Sequence, residues 1–309
     1  MIINKPKFWD KKNINLFALI LLPISLIYLI ICFLKNINNK VITYAKPVIC
    51  VGNIYIGGTG KTPLAIELYK ILKKIKKKPG FVKKYYKNQK DEQLLLKKNG
   101  KTFLDKNRLN AIQSLMNSDR NIAILDDGLQ DNKIQYDLSI ICFNEKQWVG
   151  NGLILPAGPL RESLAKLKKI NFVFINGKIN YKINKIIRSK NSKIKIFNTK
   201  YEFLNLKKIK KKRVIAFAGI GNPSNFFVQL KNNNIKLINT FGFPDHYQYT
   251  NNDLNNLIKE SKNKKAILVT TEKDFLRINK KYRKNIISLP IKLIIKKEKL
   301  FIKELKKFI

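Results

Sequence analysis

The sequence predicts an α/β protein made of two α/β units behind one apolar helix. Three observations carry this expectation. Short apolar runs rich in β-branched residues recur, as at Val48–Val51 and Asn121–Asp127, and glycine or acidic residues follow them. The same strand-then-glycine pattern restarts at Arg213–Gly221, RVIAFAGIG, well down the chain. Ahead of both, Leu16–Leu34 runs 19 positions without a charged residue.

Residues 1–15 are polar and basic. The apolar stretch that follows, LFALILLPISLIYLIICFL, just suffices to span a bilayer. A signal peptide with Lys5, Lys7, Lys11 and Lys12 as its charged region is one alternative. No A-x-A-like cleavage site follows, however, and the apolar run is long for one. A buried core helix is another alternative. If the helix crossed, a cytosolic nucleotide-using domain would leave the Lys5–Lys12 cluster outside, against the positive-inside tendency. Lys35 and Lys40 at the other end make that bias weak. A helix that dips in at Pro23 and returns, or that lies in the interface, removes the conflict, and the reading leans to such a one-sided anchor.

Pro47–Tyr69 reads PVICVGNIYIGGTGKTPLAIELY. Val48–Val51 is a buried strand by composition. A loop of Tyr55, Ile56, Gly57, Gly58, Thr59 and Gly60 leads to Lys61-Thr62. Pro63 then opens a helical spacing of Leu64, Ala65, Leu68, Ile71 and Leu72. Strand, glycine loop, Lys-Thr and helix make a phosphate cradle. Backbone N–H groups and the helix N-terminus face the anion, lysine reaches the outer phosphates, and the threonine hydroxyl holds Mg²⁺. The strict G-x-x-x-x-G-K-[ST] pattern would put its first glycine at Tyr55, whereas the glycines stand at 57 and 58. A glycine-rich turn before a chance Lys-Thr is the alternative.

After a basic run, Lys73–Lys78, comes FVKKYYKNQKDEQLLL, whose Asp91-Glu92 is the only adjacent acidic pair between Gly80 and Asn110. A solvated helix start explains such a pair equally well. NIAILDD then delivers Asp126 and Asp127 to the carboxyl end of a strand, the edge where open α/β sheets bind ligands. A strand-end aspartate holding Mg²⁺ is what phosphoryl transfer needs. A turn-capping pair, with Asp127-Gly128 as the turn, is the alternative. Leu138–Phe143 and Asn171–Asn176 are further strands, separated by the Gly/Pro-rich loop GNGLILPAGPLRES. Residues 177–212 are rich in Lys and Asn, and a domain boundary is placed there. Beyond it, a helix starts near Asn225, FPDHYQYT carries His246, the single histidine, and AILVTTEKD reads as a strand ending in polar residues. The tail, Lys292–Ile309, is basic and amphipathic, with Phe301, Ile302, Leu305, Phe308 and Ile309 on one face, and is expected to pack on the second domain.

Composition sets the outer limits. At 309 residues and 45% hydrophobic content, the chain can bury one large core or two smaller ones. The charge of +43 invites a nucleic-acid reading, but the 63 Lys and Arg residues are spread along the chain and no nucleic-acid motif accompanies them. Part of the excess suits an anionic membrane surface. Cys32, Cys50 and Cys142 lie in apolar runs without C-x-x-C spacing, which gives neither a metal site nor a disulfide framework and fits a reducing compartment.

Taken together and in order, VGNIYIGGTGKTP, DDGLQ, LPAGPLRE, FAGIGNP, FPDH and VTTEKD resemble the tetraacyldisaccharide 4′-kinases of lipid A synthesis over nearly the whole chain. That family's phosphate loop also lacks the usual first glycine. The resemblance implies a P-loop NTPase-like domain and a second, smaller Rossmann-like α/β domain facing a cleft, plus an N-terminal membrane helix. Residues 1–40 would be the anchor, 41–205 the kinase domain and 206–309 the second domain. It implies ATP and Mg²⁺ as cofactors, with Tyr55–Thr62 around the nucleotide and Thr62, Asp126 and Asp127 on the metal side. Lys61 and Asp91 would be catalytic, with His246 as the partner of Asp91. The acceptor would be the 4′-hydroxyl of a lipid A disaccharide 1-phosphate, at the cytosolic face of a Gram-negative inner membrane. A monomer that binds no nucleic acid is expected. The chain departs from the family at Lys83-Lys84-Tyr85-Tyr86, where Ser-Arg-Gly-Tyr is usual, and at Lys90-Asp91-Glu92-Gln93, where Gly-Asp-Glu-Pro is usual. Lysine offers a point charge where arginine offers a fork. A membrane-tethered P-loop ATPase switch with no glycolipid acceptor is the rival reading.

Overall fold

A computed structural model describes residues 6–11, 13–37 and 40–309, so Lys5 and Lys12 of the expected basic cluster lie outside the described residues. The chain forms two compact units that interleave in sequence. The larger holds Lys5–Tyr85, Gly100–Lys200 and Leu293–Ile309, and the smaller holds Tyr86–Asn99 and Tyr201–Lys292.

In chain order, helix α1 (Leu16–Ile37) precedes strand β1 (Val48–Gly52), α2 (Lys61–Lys74) and β2 (Pro79–Lys84). Next come α3 (Lys90–Asn99), β3 (Thr102–Asp105), α4 (Arg108–Met116), β4 (Ile122–Asp126) and β5 (Leu138–Asn144). After them follow β6 (Phe172–Asn176), α5 (Tyr181–Lys190), β7 (Lys195–Phe203), β8 (Arg213–Ala218), α6 (Pro223–Asn232) and β9 (Lys236–Gly242). The last elements are α7 (Asn251–Asn263), β10 (Ile267–Thr271), α8 (Glu272–Arg277), α9 (Lys280–Arg283), β11 (Ile286–Leu289), β12 (Ile291–Ile295) and α10 (Glu298–Leu305).

The larger sheet has the order β12-β7-β6-β5-β1-β4-β2-β3. From β7 to β3 each neighbouring pair is parallel. Strands β1, β4 and β5 are buried along their whole length, as parallel strands covered on both faces must be. That requirement is why they read as unbroken apolar runs rather than as alternations. β1 pairs β4 on one side and β5 on the other, with Val51 opposite Asp126. The strand order therefore reverses around β1, and its carboxyl end is a switch point of the kind where such sheets bind ligands.

The smaller sheet is parallel with the order β11-β10-β8-β9. α6 begins at Pro223, ahead of the start expected at Asn225, with Pro223 in the first turn and the Asn222 side chain accepting from Asn225 N at 3.0 Å. The strand expected through Asp274 ends earlier, at Thr271. Thr271 Oγ1 accepts from Asp274 N at 3.1 Å, which turns the polar end of VTTEKD into the capped first turn of α8.

Two elements depart from the contiguous domains expected at 41–205 and 206–309. α3, which carries Asp91, packs against α8 in the smaller unit, although the chain lies in the larger unit before and after it. The tail begins with β12 rather than a helix, and residues 293–309 belong to the larger unit, not the second domain. The reason is aromatic packing. Phe301 is fully buried and meets the rings of Phe172, Phe174 and Phe197 on β6 and β7 at 5.2–6.0 Å.

α1 is the one helix among the described residues long and apolar enough to cross a membrane. Most of its large apolar side chains are exposed, including Leu16, Phe17, Ile20, Leu26 and Phe33, whereas Ala18 and Ser25 are buried. Ser25 fixes the helix to the larger unit: its hydroxyl donates to Ile154 O at 3.0 Å and accepts from Ala157 N at 3.1 Å.

Candidate active-site groups

In the larger unit, β1 ends at Gly52, a position that requires glycine because a Cβ there would lie 2.5 Å from Leu129 Cβ. The chain then turns through a loop in which Gly57 and Gly60 hold φ of 93° and 99°, conformations that favour glycine. Asn53 clamps the loop from inside. It is fully buried, and its amide donates to Tyr55 O, to Gly57 O at 3.3 Å and to Thr59 Oγ1 at 3.0 Å, while its Oδ1 accepts from Lys61 Nζ at 3.1 Å.

Tyr55 and Ile56 serve the fold at this point. Tyr55 is buried and donates to Asp10 Oδ1 at 2.6 Å, and the Ile56 amide is spent on Pro159 O at 2.9 Å. Gly57 to Thr62 remain as the segment leading into α2. The N-cap, Gly60, makes no side-chain cap hydrogen bond to that helix, and an uncapped helix N-terminus is a site of the kind that can receive an anion.

At the neighbouring strand end, Asp126 Oδ2 accepts from Thr62 Oγ1 at 3.0 Å and from Lys83 Nζ at 2.8 Å. Asp126 Oδ1 is buried without a hydrogen-bond partner. An orphaned carboxylate oxygen beside a threonine hydroxyl is a hard, all-oxygen donor set of the kind Mg²⁺ takes when phosphates complete its shell. Among the described residues no cluster of three or more His, Cys, Asp or Glu could hold a metal.

Asp127 follows with a φ of 63°, at the Asp-Gly turn. Arg161 Nη1 donates to both of its oxygens, at 2.9 and 3.2 Å, and Lys61 Nζ stands 3.6 Å away. Arg108 adds a bond to the Asp127 carbonyl at 2.7 Å. Burial pushes the Asp127 carboxyl up, but the Lys61, Arg161 and Lys83 charges outweigh it and hold it at about 2. Asp127 thus ties down cations, and Asp126 is the acid with an oxygen to spare.

In the smaller unit, Asp91 stands in the first turn of α3, 1% exposed. His246 has a φ of 58°, and its backbone N–H donates to Gly219 O at 3.1 Å. This places its Nδ1 3.1 Å from Asp91 Oδ1. An ionised carboxylate only accepts, so the proton of that bond sits on Nδ1. The two residues were expected to meet from opposite sides of a domain boundary. Both lie in one unit, because α3 crosses into it.

Lys273 Nζ is 2.9 Å from Glu92 Oε1 and 3.8 Å from Asp91 Oδ2, and Arg277 Nε is 3.8 Å from the same Asp91 oxygen. Burial raises the Asp91 carboxyl. The hydrogen bond from His246 and the charges of Lys273, His246 and Arg277 overcome it and hold the carboxyl below the usual carboxylate range. Asp274, fully buried, organises this side. It accepts from Gly219 N at 2.9 Å, Tyr249 Oη at 2.8 Å and Arg277 Nη2, which joins FAGIGNP, FPDHYQYT and VTTEKD in one network.

The sequence reading singled out Lys61, Thr62, Asp91, Asp126, Asp127 and His246, and missed Asn53, Lys83, Lys273 and Arg277. Asn53 sits inside the phosphate-loop segment, where glycine and lysine drew the attention. Lys83 is one lysine among many, and only its place at the end of a buried strand marks it.

A family model described as tetraacyldisaccharide-1-P 4′-kinase matches residues 17–309. The tetraacyldisaccharide 4′-kinase of Pelagibacter ubique (strain HTCC1062) is 44% identical over 306 residues, covering 97% of this chain and 96% of the relative. That of Rickettsia akari (strain Hartford) is 35% identical, covering 94% and 93%. Among solved structures, the "apo" form of LpxK from Aquifex aeolicus in complex with ATP shares the fold, with a TM-score of 0.72 and 24% identity over 95% of this chain and 99% of that one.

Proposed function

We infer that this chain, which belongs to the tetraacyldisaccharide-1-phosphate 4′-kinase family, transfers the γ-phosphate of ATP to the 4′-hydroxyl of a lipid A disaccharide 1-phosphate. The observation that carries the reading is the Thr62–Asp126 pair beside the uncapped N-terminus of α2, in a chain that matches the family over residues 17–309. A sugar hydroxyl is a weak nucleophile, and phosphoryl transfer depends on positioning and charge neutralisation.

Gly57–Thr62 bind the phosphates of ATP, and the Lys61 ammonium faces the oxygens that gain charge. Asn53 and Asp127 aim Lys61, and Arg161 is held beside it by Asp127. Thr62 and Asp126 would hold Mg²⁺, which when bound neutralises phosphate charge. Asp91 accepts the proton of the 4′-hydroxyl at its carboxylate, and His246 orients that carboxylate through Nδ1–H and shares the charge. The buried environment of Asp91 excludes water from the proton transfer.

α1 supports a membrane site of action, because the acceptor's acyl chains stay in a bilayer. The exposed apolar side chains of the helix suit the hydrocarbon boundary of the cytosolic leaflet, with the protein acting as a monomer on the inner-membrane surface.

The test incubates the purified full chain with γ-labelled ATP and tetraacyldisaccharide 1-phosphate. The label is expected in the lipid fraction. Release of inorganic phosphate alone, at a rate indifferent to the glycolipid, would overturn the reading in favour of an ATPase switch.

A further inference from the structure

Arg277 is a buried cation of the smaller unit with no part yet in the chemistry. Its side chain is 3% exposed. One edge of the guanidinium is committed, because Nη2 donates to Gly219 O at 2.7 Å and to Asp274 Oδ1. The Nε edge stands 3.8 Å from Asp91 Oδ2, and that carboxylate oxygen has no hydrogen-bond partner. Nε and Nη1 have none either, although both are buried. A buried arginine edge left unbonded is costly and calls for a reason beyond packing. Gly219 O supplies the link to His246. The same carbonyl accepts the His246 backbone N–H at 3.1 Å, and that N–H also reaches Asp245 Oδ1 at 3.1 Å. His246 holds a φ of 58°, an uncommon conformation kept where the surroundings impose it. Its ring also has a choice of acceptors. Nδ1 meets Asp91 Oδ1 at 3.1 Å, but Nε2 is 3.8 Å from both Glu92 Oε1 and Asp245 Oδ1, so a ring less firmly aimed can turn elsewhere. The guanidinium therefore bears on both halves of the pair, on the His246 backbone through Gly219 O and on the second oxygen of Asp91.

We propose that Arg277 is a positioning residue for phosphoryl transfer, whose two-edged fork keeps the His246 ring on Asp91 and the carboxylate in place to take the acceptor's proton. The proposal rests on the reading of Asp91 as the base. A planar fork presents Nη2 and Nε in fixed directions, so the bond to Gly219 O also sets where the charge beside Asp91 stands. Lysine offers one compact ammonium, which cannot stand at both edges at once. Lys273 Nζ, also 3.8 Å from Asp91 Oδ2, adds charge, but it is hydrogen-bonded to Glu92 Oε1 rather than to the His246 segment. Loss of the fork strands few groups. Gly219 O keeps the His246 N–H, and Asp274 keeps Gly219 N and Tyr249 Oη. The aim of the pair, more than the fold, depends on Arg277.

The test uses the full chain with its histidine ring nitrogens isotopically labelled and read by NMR. His246 is the single histidine, so the ring gives one set of signals. Steady-state kinetics with ATP and tetraacyldisaccharide 1-phosphate accompany the spectra for the wild type, Arg277→Met, Arg277→Lys and Asp91→Asn. The wild-type spectrum of the neutral ring should place the proton on Nδ1. Both Arg277 variants should lose that signature and lower kcat by about tenfold or more, with the Kd of ATP and the KM of the glycolipid within about threefold of wild type. Arg277→Lys keeps a buried cation and serves where the methionine variant does not fold. A smaller loss of kcat in either variant, a comparable loss of ATP or glycolipid affinity, or an unchanged His246 spectrum would overturn the proposal. With Asp91→Asn inactive, each of those results leaves the base reading standing. Full kcat in Asp91→Asn would overturn the base reading itself, and the proposal with it.

Discussion

Asp91 is held ionised by neighbours rather than by exposure, and that makes its chemistry predictable in pH. Its folded carboxyl lies below the ordinary value of 3.8. It therefore stays ionised in the neutral range, and with Asp91 as the proposed base the acid limb of kcat/KM is expected below 3.8. Lys273→Met removes a charge 3.8 Å from Asp91 Oδ2, so the carboxyl rises and the acid limb should move to higher pH. A pH–rate profile checks this, and an unmoved limb would show that Lys273 serves only Glu92. The same depressed carboxyl contributes stability that is present above 3.8 and is lost as pH falls through the lower folded value, because the unfolded chain binds the proton first. Asp91→Asn should lower kcat by about 10²-fold or more with ATP binding retained, since it removes the base and leaves the phosphate loop alone. Full kcat in that variant would remove Asp91 from the chemistry. Single residues of this kind are half legible in sequence. Lys61, Asp126 and His246 stand in recognisable blocks, and so do Asn53 and Lys273, although the last two act through contacts that only folding creates; Asp91 stands where the chain departs from the family's usual pattern.

At the scale of elements, β1 and β4, which lead to the glycine loop and to Asp126, were legible, because a strand buried on both faces is written as a short apolar run, whereas β2, which carries Lys83 and reads PGFVKK, was not. The errors fell where tertiary packing chose between equally good local patterns. The C-terminal tail is amphipathic, and nothing in its own spacing says which unit receives its apolar face. The rings of Phe172, Phe174 and Phe197 decide the matter. Phe301→Ala should accordingly destabilise the larger unit by about 3–5 kcal/mol, measured as a lowered denaturant midpoint. A change below about 1 kcal/mol would mean that α10 is a loose appendage. α1 shows the reverse case. Its composition alone announces an apolar surface, yet the contact that positions it runs through Ser25, the polar residue within its apolar stretch. Replacing Leu16, Phe17 and Ile20 with Asn should abolish sedimentation with anionic vesicles, while Ser25→Ala should leave sedimentation intact and cost about 1 kcal/mol of stability. Vesicle binding that survives the triple substitution would assign α1 to folding rather than to the membrane.

The molecule as a whole divides its chemistry by unit. The larger carries the Thr62–Asp126 pair proposed for the phosphoryl donor, the smaller carries the Asp91–His246 pair, and the chain interleaves them by lending α3 to the smaller unit. A sequence read as contiguous domains cannot reveal that exchange, since α3 is flanked on both sides by strands of the larger sheet. The central proposal is that Lys61 and Asp91 are each required for phosphoryl transfer to the 4′-hydroxyl. The most direct measurement locates the transferred phosphate on the glycolipid by mass spectrometry and phosphorus NMR, for the wild type, Lys61→Ala and Asp91→Asn. The account predicts phosphate on the 4′-oxygen with the wild type, and a loss of about 10²-fold or more in its rate of formation with either variant. Phosphate added to the 1-phosphate, or 4′-phosphorylation that proceeds at the wild-type rate without Lys61 or without Asp91, would contradict it.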